Sequence, residues 1–134
     1  MVIDTSALIA ILFAEPDAET FETAIADASV RIISAATLVE TSIVVEARYG
    51  EEGGRELDLL IYKAHVDIAA VTPEQAHLAR RAFRQFGKGR HPAALNFGDC
   101  FSYALAQSRA EPLLFKGTDF AKTDILTALS PPQP

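Results

Sequence analysis

The chain has 134 residues, 49% of them hydrophobic, with a formal net charge of −6 and one cysteine. This length suits a single domain with a substantial core, and a lone cysteine rules out an internal disulfide. No apolar run approaches the roughly 20 residues that cross a bilayer, and no leader-type segment begins the chain, so the sequence predicts a cytoplasmic protein without membrane contact.

Short β-rich stretches alternate with longer helical patterns, which is typical of parallel strands joined by helical crossovers. The first half predicts a strand in VID, helices over 5–13 and 17–28, a strand in VRIIS and a helix over about 36–49. After a break at GEEGG, we expect a helix in RELDLLIYKAH, a strand in VDIAAV, a helix in TPEQAHLARRAFRQF and another over about 98–109. PLLF predicts a strand, KGTDFAKTD a turn with a helical fragment, and ILTAL a last strand, before a frayed tail at about 130–134.

Two of these helices carry clear start signals. Thr72 is a suitable cap before Pro73, and Gln75 three residues later predicts a capping box. Asn96 is placed to cap the helix that follows it. Together the elements predict one α/β domain over 1–134, with four or five short strands.

Two acidic residues lie among apolar neighbours. Asp4 stands between two apolar stretches, where burying a carboxylate costs several kcal/mol unless it is paired. It is either an ordinary helix cap or the end of a buried strand that presents an acid to a site. Glu40 shares a helical stripe with Ile43 and Ala47, which predicts that it faces the core, although an exposed Glu on a largely apolar helix remains open.

Two more acids occupy positions with an ordinary structural explanation. Asp99 falls in the first turn of a predicted helix, where the helix dipole alone favours a negative charge by about 0.3 to 1 kcal/mol. Asp119 follows the strand in PLLF through Gly117 and Thr118, and a turn of the Asx type accounts for such an Asp.

Taken together, the four acids predict a metal site. Strand ends and helix starts share one edge of a parallel sheet, which places Asp4, Asp99 and Asp119 together, with Glu40 reaching them from a helix packed beside that edge. Converging carboxylates repel one another unless a cation lies among them, and all-oxygen ligands select Mg²⁺ or Mn²⁺. Such a site activates water for phosphodiester cleavage, which indicates a hydrolytic nuclease.

Four motifs in this order resemble the PIN-domain ribonucleases of the VapC toxin type over essentially the whole chain: MVIDTSAL, TLVETSIVV, LNFGDCFSYALA and PLLFKGTDFAKTDI. The resemblance implies a PIN-like fold and a Mg²⁺- or Mn²⁺-dependent endoribonuclease that cuts cellular RNA, either tRNA or rRNA, and so inhibits translation and growth. It also implies a type II toxin–antitoxin system, with a homodimer bound by a cognate VapB-type antitoxin in a hetero-oligomer.

The same resemblance assigns roles to the acids. Asp4 and Asp99 match the residues that ligate the metal directly, and Glu40 matches an acid that acts through a water or a second ion. Asp119 takes the fourth position in the same manner, with Asp124 as the alternative. Whether one or two ions act is left open.

Two further residues match supporting positions of the family. Ser6 corresponds to the small hydroxyl residue that hydrogen-bonds the first Asp. Thr118 stands where relatives often carry Asn, a conservative departure that still permits hydrogen bonding.

The positive charge is concentrated in one stretch, RRAFRQFGKGRH. A net charge of −6 argues against a polyanionic partner, but local cations can hold RNA phosphates beside an acidic site. A solvated helix face or an antitoxin contact are the other interpretations. The RNA-binding candidates are Arg80, Arg81, Arg84, Lys88 and Arg90.

Rival functions are weaker. An aspartyl-phosphate phosphatase normally carries a second Asp two residues after the first, where this chain has Ser6. A non-catalytic PIN-like module that binds RNA or protein remains the alternative. Cys100 has no base placed beside it, and the three histidines lack metal spacing, so neither predicts a site.

Overall fold

The computed structural model describes residues 1–129, and the predicted frayed tail at about 130–134 lies outside the described residues. Within this range the elements follow the predicted order of strands and helices. They are β1 (Val2–Ile3), α1 (Thr5–Leu12), α2 (Ala18–Asp27), β2 (Ile32–Ser34), α3 (Ala35–Tyr49), α4 (Glu51–Lys63), β3 (Asp67–Ala69), α5 (Pro73–Phe86), α6 (Phe97–Arg109), β4 (Leu113–Leu114) and a 3₁₀ turn at Phe120–Lys122.

The sheet is parallel, with the strand order β3-β2-β1-β4. From β1 the chain proceeds to β2 and β3 on one side, whereas β4 returns on the other side of β1. The order of connections therefore changes between β1 and β4, and ligands bind in α/β sheets outside the carboxyl ends of strands at such a point.

Helices cover both faces of the sheet, because successive strand residues point to opposite sides. Val2, Ile32 and Leu113 belong to a core that includes buried residues of α5 and α6. Ile3, Ile33 and Leu114 belong to a second core, formed with α1, α2 and α4. This three-layer arrangement confirms the predicted α/β class with a short parallel sheet. None of the helices in residues 1–129 has the length and apolar character needed to cross a membrane.

The predicted strand in ILTAL is wrong in the described range. Thr127 forms only an isolated parallel bridge with Leu113, supported by one hydrogen bond on each side of it. The sheet thus has four strands rather than five in residues 1–129.

The predicted break at GEEGG is shorter than expected. Only Gly50, at φ 66°, interrupts the chain between α3 and α4, and α4 already begins at Glu51. Gly53 lies inside α4, at a position where a Cβ would press on the Val45 side chain and the Val45 carbonyl of α3. Close packing of two helices, rather than a turn, explains this glycine.

The expected core stripe of α3 is also wrong. Ile43 is 64% exposed and Ala47 is exposed, whereas the buried residues of this helix are Thr37, Thr41 and Val45. Glu40 is therefore half-buried at the margin of the core rather than within it.

Candidate active site

Asp4 lies at the carboxyl end of β1 and is also the N-cap of α1, so the two alternatives for it are not exclusive. It is 3% exposed, and its carboxylate accepts hydrogen bonds from Ser6 and Ser102. Oδ2 accepts from the backbone N–H and the hydroxyl of Ser6, at 3.0 and 2.7 Å. Oδ1 accepts from the hydroxyl of Ser102 at 2.6 Å. These donors offset the cost of burying the charge.

Ser6 does more than contact Asp4. Its hydroxyl oxygen also accepts a hydrogen bond from the backbone N–H of Lys116, at 2.9 Å, just beyond β4. One side chain therefore connects the end of β1 to the segment that leads to Asp119.

Glu40 reaches the site from α3 and contacts the start of α6. Its Oε1 accepts a hydrogen bond from the Thr5 hydroxyl at 2.6 Å. Its other oxygen, Oε2, fills the space beside Gly98 that a side chain would need, so that any Cβ at this position would overlap it. Glycine costs about 1 kcal/mol in a helix relative to alanine, and its presence in the first turn of α6 is the sequence signal for this contact.

The pKa of Asp99 is affected by the charges of all three other acids. Burial raises the pKa of its carboxyl from the usual 3.8 to about 6, the backbone N–H of Asn96 opposes this rise, and the charges of Asp4, Glu40 and Asp119 add to it. Asp99 Oδ2 accepts from the Asn96 N–H at 3.0 Å while Asn96 Oδ1 accepts from the Asp99 N–H at 2.9 Å, a complete capping box. The predicted Asn96 cap is confirmed.

Asp119 and Asp124 have different environments. Asp119 is exposed at the start of the 3₁₀ turn, and its charge acts on Asp99. Asp124 instead accepts a 2.5 Å hydrogen bond from the hydroxyl of Tyr103, and burial together with this bond raises the pKa of Tyr103 to about 12. Thr118, the residue before Asp119, is exposed. Asp119, unlike Asp124, is among the charges that act on Asp99.

The donor set suits a hard cation in its chemistry. All four side chains are carboxylates, and the charges of the other three add to the rise in the Asp99 pKa that burial causes, a repulsion of the kind that a divalent cation relieves. In the part of the chain that the structure describes, however, no three Asp, Glu, His or Cys side chains are already close enough to hold a metal ion.

Several hydroxyl residues at the site escaped sequence reasoning. Ser102, Thr37 and Thr41 are fully buried polar residues where α1, α3 and α6 meet. In the sequence, nothing distinguishes these three residues from other polar residues of a helix, and only the fold places them beside the acids.

The basic candidates do not form one surface, although all five are exposed. Arg80 and Arg84 line a cavity of about 610 Å³ between α5 and α6, with Phe97 and Phe101. Arg81 lies on another side of α5, in a smaller cavity that contains Tyr103 and Asp124. Lys88 and Arg90 follow in the loop, where the Arg90 guanidinium lies 5.8 Å from the centre of the Phe83 ring.

Cys100 and His91 have structural surroundings. Burial and the neighbouring Asp99 charge raise the pKa of the Cys100 thiol to about 11, the opposite of an activated nucleophile. His91 Nδ1 accepts from the Ala93 N–H at 3.0 Å, and its ring packs edge-on against Phe86.

Known proteins match this chain over nearly its full length. The PIN domain family matches residues 1–126. Ribonuclease VapC30 of Mycobacterium tuberculosis is 58% identical over 131 residues, which cover 98% of this chain and 100% of that protein. Ribonuclease VapC of Mycolicibacterium smegmatis is 60% identical over 125 residues, covering 93% and 97%. The chain belongs to the PIN-domain family of VapC ribonucleases. The resemblance predicted from the four motifs is thus confirmed.

Solved structures of VapC proteins share the fold. The M. tuberculosis toxin VapC20, described as cleaving the sarcin–ricin loop, superposes with a TM-score of 0.77 at 18% identity and covers 93% of this chain and 95% of that one. A chain of the VapBC2 complex from Rickettsia felis, bound to promoter DNA, gives 0.70 at 17% identity, with 94% of each chain covered. These likenesses confirm the PIN-like fold. Membership of the VapC family makes this protein a toxin ribonuclease of a toxin–antitoxin system.

Proposed function

We propose that this VapC ribonuclease is a Mg²⁺- or Mn²⁺-dependent endoribonuclease that hydrolyses phosphodiester bonds in tRNA or rRNA and thereby inhibits translation and growth. Its support is the environment of Asp99 near the carboxyl edge of the sheet, where burial and the charges of Asp4, Glu40 and Asp119 raise its pKa to about 6. A cluster of this kind is stable when a divalent cation neutralises it.

The family resemblance divides the roles among the acids. Asp4 and Asp99 would hold the cation, while Glu40 and Asp119 would act through a water or a second ion. Glu40 Oε2 and Asp99 Oδ1 have no hydrogen-bond partner in residues 1–129, and neither is a buried unpaired atom, so both are open to a ligand. The bound cation supplies charge neutralisation of the phosphodiester and a more acidic water for in-line attack.

Arg80 and Arg84 are the cations best placed to hold flanking phosphates. They line the cavity between α5 and α6 that also includes Cys100, the residue next to Asp99. Neither forms a salt bridge within residues 1–129, so their charges are available to a polyanion.

Exposed apolar side chains next to the site suit a second copy of the chain. Val39 and Ile43 of α3 flank Glu40 and are 59% and 64% exposed. Phe97 of α6 adjoins Gly98, which contacts Glu40, and is 79% exposed. A homodimer formed here buries this surface and brings two sites together.

A VapB-type antitoxin suits another surface. Leu12, Val45 and Tyr49 line a cavity of about 290 Å³ between α1, α3 and α4, with Glu52 and Glu56 at its margin. Apolar walls with an acidic border favour a partner segment that carries aliphatic and basic residues. The cavity is lined from both α1, at Leu12, and α4, at Glu52 and Glu56.

The decisive experiment uses purified protein freed of antitoxin, incubated with tRNA and rRNA in Mg²⁺, Mn²⁺ or EDTA. We expect cleavage with either metal, none in EDTA, and none for Asp4→Ala or Asp99→Ala, with folding and oligomeric state unchanged. Intact RNA under all conditions, with binding retained, would instead favour the non-catalytic module.

A further inference from the structure

The side of α3 that faces the core is lined with hydroxyl groups. Thr37 and Thr41, one helical turn apart, are 1% and 0% exposed where a core helix normally presents aliphatic residues. A buried hydroxyl costs free energy unless it is hydrogen-bonded, and no buried side-chain nitrogen or oxygen in residues 1–129 lacks a partner. The two threonines therefore belong to completed networks.

One network ends at Asp4. The Ser102 hydroxyl donates its proton to Asp4 Oδ1 at 2.6 Å, and Thr37 Oγ1 lies 3.2 Å from Ser102 Oγ. A hydroxyl has a single proton. Because Ser102 uses its proton on the carboxylate, Thr37 is the donor in the other contact. The direction is from Thr37 to Ser102 to Asp4.

The second network ends at Glu40 and has the same form. The Thr5 hydroxyl donates to Glu40 Oε1 at 2.6 Å, and the Thr41 hydroxyl lies 3.0 Å from Thr5 Oγ1. Thr41 Oγ1 also lies 2.8 Å from the carbonyl oxygen of Thr37, which is a second acceptor for the same proton. Both networks start on neighbouring turns of α3 and deliver a proton donor to an acid.

We propose that these two hydroxyl pairs are positioning devices: Thr37 and Ser102 fix the orientation of the Asp4 carboxylate, and Thr41 and Thr5 fix that of Glu40. Ser6 already holds Asp4 Oδ2, so the donor on Oδ1 prevents the carboxylate from rotating. Likewise, the donor on Glu40 Oε1 directs Oε2 towards Gly98 and the other acids. The inference rests on the proposed metal-dependent cleavage.

The test removes hydroxyls at matched positions and measures Mn²⁺ binding by electron paramagnetic resonance, alongside kcat and KM for RNA. Ser102→Ala should weaken Mn²⁺ affinity about ten- to hundredfold and lower kcat, with KM nearly unchanged, as expected of residues that orient ligands. Thr37→Val should act in the same direction, whereas Thr37→Ser keeps the hydroxyl and should behave as wild type.

A double-mutant cycle separates positioning from general destabilisation. If Thr37 acts through Ser102, Thr37→Val should have no further effect on Mn²⁺ affinity in the Ser102→Ala background. Ser108→Ala is the matched control for Ser102→Ala, because Ser108 also lies on α6 but its hydroxyl donates to the Leu105 carbonyl. It should leave Mn²⁺ affinity and kcat unchanged.

The partly exposed Thr5 provides a second pair of variants should those in the core fail to fold. Thr5→Val should weaken Mn²⁺ binding and Thr5→Ser should restore it. Wild-type affinity in all the hydroxyl-free variants, or a loss of stability with unchanged affinity, would overturn the inference while leaving the proposed function standing. Wild-type protein that binds no Mn²⁺ would overturn both.

Discussion

The carboxylate of Glu40 occupies the space that a side chain at Gly98 would fill. The atom in conflict is the end of a flexible side chain, so Gly98→Ala should fold and displace Glu40 from the other acids. We expect at least a tenfold loss of kcat with an unfolding midpoint close to wild type. Gly54→Ala is the matched control, because there the new Cβ would meet the Glu46 carboxylate, outside the site. Equal activity of both variants would contradict the role of the contact.

The raised pKa of Asp99 predicts how stability depends on pH in the metal-free protein. Its carboxyl has a pKa of about 6 when folded against 3.8 ordinarily, so the folded state binds the proton more tightly. Stability is therefore highest below pH 3.8 as far as this group is concerned and falls as pH rises through about 6. The loss is of the order of 1 kcal/mol, because the side chain is only partly buried.

Asp99→Asn keeps an acceptor for the Asn96 N–H and removes the charge. Urea unfolding in EDTA should show that the variant is more stable than wild type at pH 7.5. Between pH 4 and 6, the free energy of unfolding of the variant should fall less with pH than that of wild type. Adding Mn²⁺ should stabilise wild type and not the variant. If the stability of the variant relative to wild type did not increase between pH 4 and 6, the raised pKa of Asp99 would be refuted.

Asp119 and Asp124 provide a paired test of the fourth acid. Asp119→Asn should abolish cleavage with little change in stability, because the residue is exposed. Asp124→Asn keeps an acceptor for the Tyr103 hydroxyl and should retain activity, with a stability loss of about 1 kcal/mol from the weaker hydrogen bond. Rates measured on the same RNA decide between them, and the reverse result would make Asp124 the functional acid.

Arg80 and Arg84 should contribute to RNA affinity more than Arg81, which lies elsewhere on α5. Replacing the first two with Glu should weaken binding and reduce the slope of log affinity against log salt by about 0.7 for each lost phosphate contact. Arg81→Glu serves as the charge-matched control and should have the smaller effect. An unchanged slope in the double variant would count against contact with RNA.

Cys100 should be chemically inert in the folded protein. Burial raises the pKa of its thiol to about 11, so a disulfide reagent at pH 8 should react only after denaturation. Cys100→Ala should cleave RNA at the wild-type rate, and a loss of cleavage without a loss of stability would reinstate the thiol as a participant.

The order of elements was predictable because periodicity and capping residues are local signals, and Asn96 marks the start of α6 as expected. Asp4 and Glu40 were conspicuous as charges among apolar residues, whereas Asp99 and Asp119 were grouped with them only by their expected places at a helix start and a strand end. Ser102 was not predictable, since it contacts a residue 98 positions away and nothing nearby marks it. The stripe of α3 was misread because its core face carries Thr37 and Thr41, whose buried hydroxyls contact Ser102 of α6, Thr5 of α1 and the Thr37 carbonyl of α3 itself.

Helix α6 connects the acids to one another. Asp99 belongs to it, Ser102 on the next turn holds Asp4, and Tyr103 holds the segment that carries Asp119. A displacement of this one helix against the sheet would move Asp99 relative to Asp4, which is fixed at the end of β1, and would break the Ser102 hydrogen bond to the Asp4 carboxylate. A ligand that forces α5 and α6 apart is therefore expected to inactivate the protein although every acid is intact. The cavity between the two helices is thus a site for inhibitors that do not touch the acids.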